Sequence, residues 1–224
     1  MKRRNFIQSS LLFSSLFSAI QAKAKGEKMN ILILGATGSL GKYVIEALLN
    51  KNPDIQLVLY ARNSKRLANY ADNPRIKIVE GDVLDTDKLK NNLHGINAVY
   101  AGLAGDLSNM ANSLISAMQD AKVKRLVWIS SYEIYNEAGR GSMPPAEYIK
   151  SAEIIEKSNL DYTIIRPQWF SNKDEIDYEI THRNEKFKNP DAQISRKSIA
   201  DLVAKCIDDD FAIRDSLGIN KPVK

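Results

Sequence analysis

Short runs of near-continuous apolar residues alternate along this chain with stretches whose apolar positions recur every three or four residues. The runs are Asn30–Leu34 (NILIL), Gln56–Ala61 (QLVLYA), Ile76–Glu80 (IKIVE), Asn97–Ala101 (NAVYA), Arg125–Ser130 (RLVWIS) and Tyr162–Arg166 (YTIIR). The helical patterns between them are Leu40–Lys51, closed by Asn52-Pro53, Thr86–Leu93 capped by Thr86, Ser108–Ala121, and Pro144–Ser158 with prolines in its first turn. Strands apolar throughout and separated by helices predict parallel strands covered on both faces. The expected fold class is α/β, a doubly wound parallel sheet. After the sixth strand the pattern changes: Asp177–His182 and Glu185–Lys188 predict a small C-terminal hairpin around Asn184, and Arg196–Asp209 predicts a closing helix. With no repeat, low-complexity block or long linker, residues 29–224 read as one domain.

The first 28 residues stand outside this pattern. MKRRNF is basic, LLFSSLFSAI is apolar with interspersed Ser, and QAKA supplies small residues at Ala22 and Ala24. That order is the build of a secretory signal peptide, too short and Ser-rich for a stable membrane span. Arg3-Arg4-Asn5-Phe6-Ile7 resembles a twin-arginine signal, which implies export of a folded protein to the bacterial periplasm. Met29 is an alternative start, and translation from it would leave the protein in the cytoplasm. Four of the basic residues (Lys2, Arg3, Arg4, Lys23) lie before the end of the Ala22–Ala24 cleavage signal, so the formal charge of +5 falls to +1 if the signal is removed. No nucleic-acid partner is expected. The single cysteine, Cys206, excludes an internal disulfide framework, and its place among Ile199, Leu202 and Val203 assigns it to a helix's apolar side.

The strongest chemical signal is Gly35-Ala36-Thr37-Gly38-Ser39-Leu40-Gly41, directly after an apolar strand and opening a helix. In that context Gly35 serves a tight turn, Gly38 lets backbone approach a diphosphate, and Gly41 lets the helix pack on the strand. Free N–H groups at the helix start then face the anion. The body therefore reads as a Rossmann-like NAD(P)-binding domain. An acidic residue about 20 positions on would select NAD. Between Ile55 and Ala71 there is none; Arg62, Lys65 and Arg66 stand there instead, and Arg62 is suited to a 2′-phosphate. NADP(H) is expected over NAD(H).

With these residues the chain resembles the atypical short-chain dehydrogenase/reductase family, in its NmrA-like NAD(P)H-binding branch that includes flavin and biliverdin reductases. The resemblance spans nearly all of Met29–Asp209. It rests on GATGSLG, Gly81-Asp82-Val83, Ala101-Gly102, Ile129-Ser130-Ser131 and Leu160-Asp161-Tyr162-Thr163-Ile164-Ile165-Arg166-Pro167. It implies that Gly35, Thr37, Gly38, Ser39 and Leu40 line the diphosphate, Arg62 holds the 2′-phosphate, and Asp82 and Val83 flank the adenine. It further implies that Ala101 and Gly102 pass beneath the nicotinamide ribose, that Lys150 contacts that ribose, and that Pro167–Phe170 close over the nicotinamide. Ser130 and Ser131 fall where the family carries its active-site hydroxyl.

The chain departs from the wider family at one point. The Tyr-x-x-x-Lys pair that delivers a proton to a carbonyl is broken, because Ala146 stands four residues before Lys150 and Tyr148 only two. This argues against alcohol dehydrogenase chemistry but leaves hydride transfer to a flavin, quinone or tetrapyrrole-like acceptor. The expected function is an NADPH-dependent oxidoreductase acting on a planar acceptor, seated near Ser131, Tyr132 and Trp169 and served by Ser131, Tyr132 and Lys150. The alternative is a non-catalytic NADP(H)-binding redox sensor. Glu153 is expected to pair with Lys150 or with solvent, and Trp128 to lie in the core. His94 and His182 have no metal-ligand spacing, and no metal is expected. A monomer or homodimer is expected.

Overall fold

The computed structural model describes residues 28–137 and 144–223. The expected targeting segment lies, apart from Lys28, outside the described residues. The strands are β1 (Met29–Leu34), β2 (Ile55–Ala61), β3 (Ile76–Glu80), β4 (Ala98–Ala101), β5 (Arg125–Ile129), β6 (Asp161–Pro167), β7 (Phe170–Ser171), β8 (Glu179–Thr181), β9 (Ile194–Ser195) and β10 (Asp215–Asn220). The helices are α1 (Gly41–Lys51), α2 (Thr86–Asn91), α3 (Leu107–Asp120), α4 (Ala146–Glu156) and α5 (Arg196–Asp208), with a 3₁₀ segment at Ser64–Tyr70.

Among the described residues, eight strands form one sheet in the order β3-β2-β1-β4-β5-β6-β10-β8, and β7 pairs with β9 apart from it. All pairings in the large sheet are parallel except that of β8 with β10. Alternate strand residues point to opposite faces. Ile31, Ile33, Leu57, Leu59, Val127 and Ile165 join a core with Val44, Ile45 and Leu48 of α1 and Ile199, Leu202 and Cys206 of α5. Leu32, Leu34, Val99, Leu126, Trp128 and Ile164 join a second core with Leu89 of α2, Leu114 of α3 and Ile155 of α4. Both faces of the central strands are covered, which is why their runs are so nearly apolar throughout, whereas β3 at the sheet's edge carries the exposed Lys77 and Glu80. Trp128 and Cys206 are fully buried, and burial pushes the Cys206 thiol up to about 12. Among the described residues no helix is long and apolar enough to cross a membrane.

Several local expectations are corrected. Asp85, not Thr86, caps α2: its Oδ1 accepts the Lys88 N–H at 3.1 Å, while Thr86 is the first helical residue and shares a 2.8 Å hydrogen bond with Ser113. The prolines of α4 precede the helix, with Pro145 extended (ψ 137°) in the cap position. The hairpin around Asn184 does not form. Asn184 does turn the chain with φ +70°, and the Glu185 N–H donates to the His182 carbonyl at 3.1 Å, but Glu185–Lys188 is no strand. Glu179–Thr181 pairs instead with β10, a strand the hydrophobic pattern did not predict. A two-stranded hairpin alone is marginal, whereas the edge of an existing sheet gives a short strand its partners at once.

The far side of the sheet is organised around a buried ion pair. Arg166, from β6, and Glu137, from the segment after β5, are 0% and 1% exposed at their side chains and in direct contact. Arg166 Nε donates to Ser216 Oγ at 3.1 Å and Nη2 to the Ser216 carbonyl at 3.0 Å, so the guanidinium joins β6, β10 and the segment that follows β5. Glu137 also accepts the Tyr135 N–H at 3.0 Å. Burial holds the Arg166 guanidinium down to about 10, still charged at neutral pH. Removing one member of such a pair leaves an uncompensated charge. Glu137→Ala is expected to destabilise the fold by about 3–5 kcal/mol in urea unfolding; a loss below about 1 kcal/mol would mean that Arg166 is neutralised by another group.

Candidate functional site

The sheet order places β1 between β2 and β4, so successive crossovers leave in opposite directions and open a crevice at the strands' carboxyl ends. Gly35, just past β1, has φ +82°, and a Cβ there would lie 2.0 Å from the carbonyl oxygen of Gly102, just past β4. The two backbones touch, and the Gly102 N–H donates to the Leu34 carbonyl at 3.1 Å. The turn then folds on itself: the Gly38 N–H donates to the Gly35 carbonyl at 2.9 Å, and the Gly41 N–H to the Gly38 carbonyl at 3.1 Å. Leu40 occupies the N-cap of α1, and no side chain caps the helix. Gly38 and Ser39 are exposed, Thr37 is half-buried, and Leu40 and Gly41 are buried. A closely approachable backbone before an uncapped helix start fits a diphosphate.

Arg62 and Lys65 are exposed beyond β2. Arg66 Nη2 donates to the Thr37 carbonyl at 3.2 Å and ties this segment to the glycine turn. The sequence scan missed one neighbour. Glu80, paired in register with Ala61, accepts the Ser64 N–H at 2.9 Å and the Ser64 hydroxyl at 2.6 Å. Those bonds hold its carboxyl below the usual range, the hydroxyl contributing most. The acid absent between Ile55 and Ala71 thus arrives from β3, a proximity that only strand pairing creates. Asp82 turns its Oδ1 to the Leu84 N–H at 3.0 Å, and its carbonyl accepts the Tyr60 hydroxyl at 3.2 Å. Val83 is buried.

A cleft of about 630 Å³ lies past β5 and β6. Ser130, Ser131, Tyr132 and Glu133 line it from the loop after β5, and Pro144, Pro145 and Tyr148 from the start of α4. Pro167, Gln168, Trp169 and Phe170 line it after β6, and Arg196 from α5. Ser130 donates its N–H to the Ile165 carbonyl at 2.8 Å, while its buried hydroxyl oxygen has no partner among the described residues. Trp169 is 70% exposed and is held by its Nε1–H, which donates to the Tyr132 hydroxyl at 3.0 Å. Tyr132 packs in turn against Phe187, ring centroids 6.1 Å apart. Ala101, buried at the end of β4, and Gly102 border the crevice between the glycine turn and this cleft.

Lys150 is not brought to the cleft. Its side chain is 63% exposed, and its ammonium lies 3.9 Å from Glu147, not beside Glu153, which faces solvent. Glu147 also accepts the Ser108 N–H at 2.9 Å, and that bond holds its carboxyl low. Tyr148, on a different face of α4 from Lys150, is the α4 phenol that lines the cleft. His94 and His182 are exposed, and His182 Nδ1 lies 2.7 Å from Asp215. Glu133 and Arg196 escaped the sequence reading. Arg196 reaches the cleft because β9, just before it, pairs with β7, just after Trp169.

The sequence profile of the NAD(P)H-binding family matches residues 35–210. The chain belongs to this family. A Rossmann-fold NAD(P)-binding family protein from Shigella flexneri is 39% identical, with a TM-score of 0.78 over 88% of this chain and 95% of that one. A short-chain dehydrogenase/reductase from Veillonella parvula, solved in complex with NADP, is 26% identical, with a TM-score of 0.77 over 87% of this chain and 95% of that one. Quinone oxidoreductase 2 of Escherichia coli is 29% identical over 145 residues, 63% of this chain and 49% of that protein. The chain spans about half the length of the curated relatives it matches. An anaerobilin reductase from Escherichia coli, 15% identical at a TM-score of 0.70, shares the fold.

Within this NAD(P)H-binding family member the Gly35–Gly102 contact leaves no room for a side chain. Gly35→Ala is expected to abolish NAD(P)H binding in calorimetric titration and to lower stability by about 1–3 kcal/mol from the left-handed backbone alone; undiminished binding would remove the turn from the cofactor site.

Proposed function

We propose that this protein is an NADPH-dependent oxidoreductase that passes hydride to a planar acceptor seated in the cleft between Ser131, Tyr132 and Trp169. The observation that carries this reading is the aromatic-walled cleft at the same edge of the sheet as the glycine turn. Adjacent strands lie about 4.8 Å apart, so the ends of β5 and β6 are roughly 10–15 Å from the end of β1. That separation suits a dinucleotide with its diphosphate at one end of the crevice and its reactive ring at the other. Gly35, Thr37, Gly38, Ser39, Leu40 and Gly41 would hold the diphosphate, Asp82 and Val83 the adenine, and Ala101, Gly102, Ser130 and Pro167 the nicotinamide half. The nicotinamide, when bound, supplies the hydride.

The chain's own residues orient and exclude water. Trp169 and Phe170 offer flat apolar faces to a planar molecule. The Tyr132 hydroxyl, already accepting from Trp169, keeps its proton free to donate toward the cleft, and the unpartnered Ser130 hydroxyl offers a second donor. Arg62 would meet the 2′-phosphate, with Glu80 kept occupied by Ser64. The redox-sensor reading is favoured by one observation: Lys150 faces solvent, which leaves the cleft without a lysine beside its phenols. NADPH oxidation that accelerates with any flavin, quinone or tetrapyrrole in a screen decides for the enzyme; tight, redox-state-selective binding with no turnover decides for the sensor.

Arg62→Asp is expected to weaken NADPH binding at least tenfold, about 1.4 kcal/mol or more, while changing NADH less than about twofold. Equal losses for both cofactors in calorimetry would refute the 2′-phosphate assignment. The two tryptophans give a second check, since Trp128 is fully buried and Trp169 exposed. A cleft-bound acceptor is expected to quench the exposed component of the fluorescence, and Trp169→Phe to abolish that response.

A further inference from the structure

The cleft contains a guanidinium whose hydrogen-bonding capacity is only half used. Arg196, the first residue of α5, donates from Nη1 to the Ser171 carbonyl at 3.2 Å and to Asn172 Oδ1 at 2.8 Å. Its guanidinium carbon lies 5.0 Å from the centroid of the Phe170 ring. Nε is buried and has no acceptor among the described residues. Nε is too deeply covered for a cleft ligand to reach, which leaves Nη2, with no hydrogen bond or ion pair among the described residues, as the nitrogen that can meet a carboxylate or phosphate in the cleft. No carboxylate among the described residues pairs with Arg196, although its neighbour Lys197 pairs with Asp174.

The rest of the lining narrows what can fill the edge. Ser130 adds a buried hydroxyl with no partner. Glu133, also in the lining, comes from the loop after β5, and Arg196 from α5. Between them stand Tyr132, Trp169 and Phe170, suited to a flat apolar body. A neutral ring system would satisfy these aromatic faces and leave Arg196 Nη2 without an acceptor. A ring system bearing a single acidic substituent would satisfy both, with its acidic end directed to Arg196.

We propose that Arg196 is a specificity determinant of the cleft, selecting planar acceptors that carry a carboxylate, phosphate or sulfonate group over neutral planar acceptors. The inference rests on the reading of this cleft as the acceptor site. No electron or proton passes through Arg196; it binds and orients, and so decides which edge of the acceptor meets the nicotinamide end of the crevice.

The test uses matched pairs that share a ring and differ in charge: riboflavin against its 5′-phosphate, and 2-methylnaphthoquinone against a naphthoquinone sulfonate. Affinity for the full chain is measured by fluorescence titration in the presence of NADP+, at low and moderate salt. The charged member of at least one pair is expected to bind about tenfold tighter, with the advantage shrinking as salt rises. Arg196→Gln is expected to erase that preference and its salt dependence while leaving the neutral member within about twofold; Arg196→Lys is expected to restore part of the charge preference. A collapse of the Phe170 wall would instead weaken both members alike, with no change in salt dependence, and would overturn the proposal. Equal binding of charged and neutral members by the unmodified protein overturns it too, and leaves the acceptor cleft standing. If no member of either pair binds while NADPH still does, the selectivity and the acceptor reading fall together.

Discussion

The architecture depends on the parallel pairing of β1 with β4 and on what that pairing forces at their carboxyl ends. Leu34 stands opposite Ala101, and one step further the two backbones meet at Gly35 and Gly102 with no space for a Cβ between them. That contact fixes where α1 can begin, because the chain must turn sharply through a left-handed residue before its first helical N–H groups are free. The open helix start, the tether from Arg66 to Thr37 and the crevice over β4 all follow from the approach of these two strand ends. A shift of β4 by one residue would exchange its two faces and separate the turn from its support.

The other half of the crevice is held by polar groups. Arg166, fully buried on β6, binds Glu137 and Ser216, and so joins the loop after β5 to β10, the neighbouring strand. The residues that line the cleft after β5 and β6 sit immediately beside this junction. Tyr132 and Pro167 are linked directly, the Tyr132 N–H donating to the Pro167 carbonyl at 3.3 Å. Cleft shape is therefore set by a charged pair inside the protein, with aromatic rings forming the outer wall.

The six strands around the glycine turn were legible because β1, β2, β4, β5 and β6 are covered on both faces and carry apolar residues in near-unbroken runs, while β3, at the sheet's edge, still packs Ile76, Ile78 and Val79 against the two cores. The glycine turn was legible because backbone geometry itself demands glycine at Gly35. β10 was not legible. Its sequence, Asp215–Asn220 (DSLGIN), looks like a polar loop, yet Ser216, Gly218 and Asn220 are buried. Ser216 is satisfied by Arg166, Asn220 Nδ2 by Thr181 Oγ1 at 3.1 Å, and a Cβ on Gly218 would lie 2.4 Å from Thr181 Oγ1 and 2.8 Å from the Phe187 ring. None of these partners is near in sequence. For the same reason the hairpin around Asn184 was expected from local pattern alone, while Thr181 found a better partner in Gly218.

By itself, then, the order of apolar runs determined a parallel α/β sheet, and the glycines after the first run determined a tight turn into an uncapped helix, since both properties depend on neighbours within one turn of chain. Which charged groups stand near that turn was decided only by the tertiary structure. Strand pairing carries Glu80 to Ser64, helix geometry turns Lys150 away from the cleft, and the β7–β9 bridge brings Arg196 into it. Charges act through space over distances that sequence spacing does not encode, so the fold, and not the local pattern, assembles the face that an acceptor would meet.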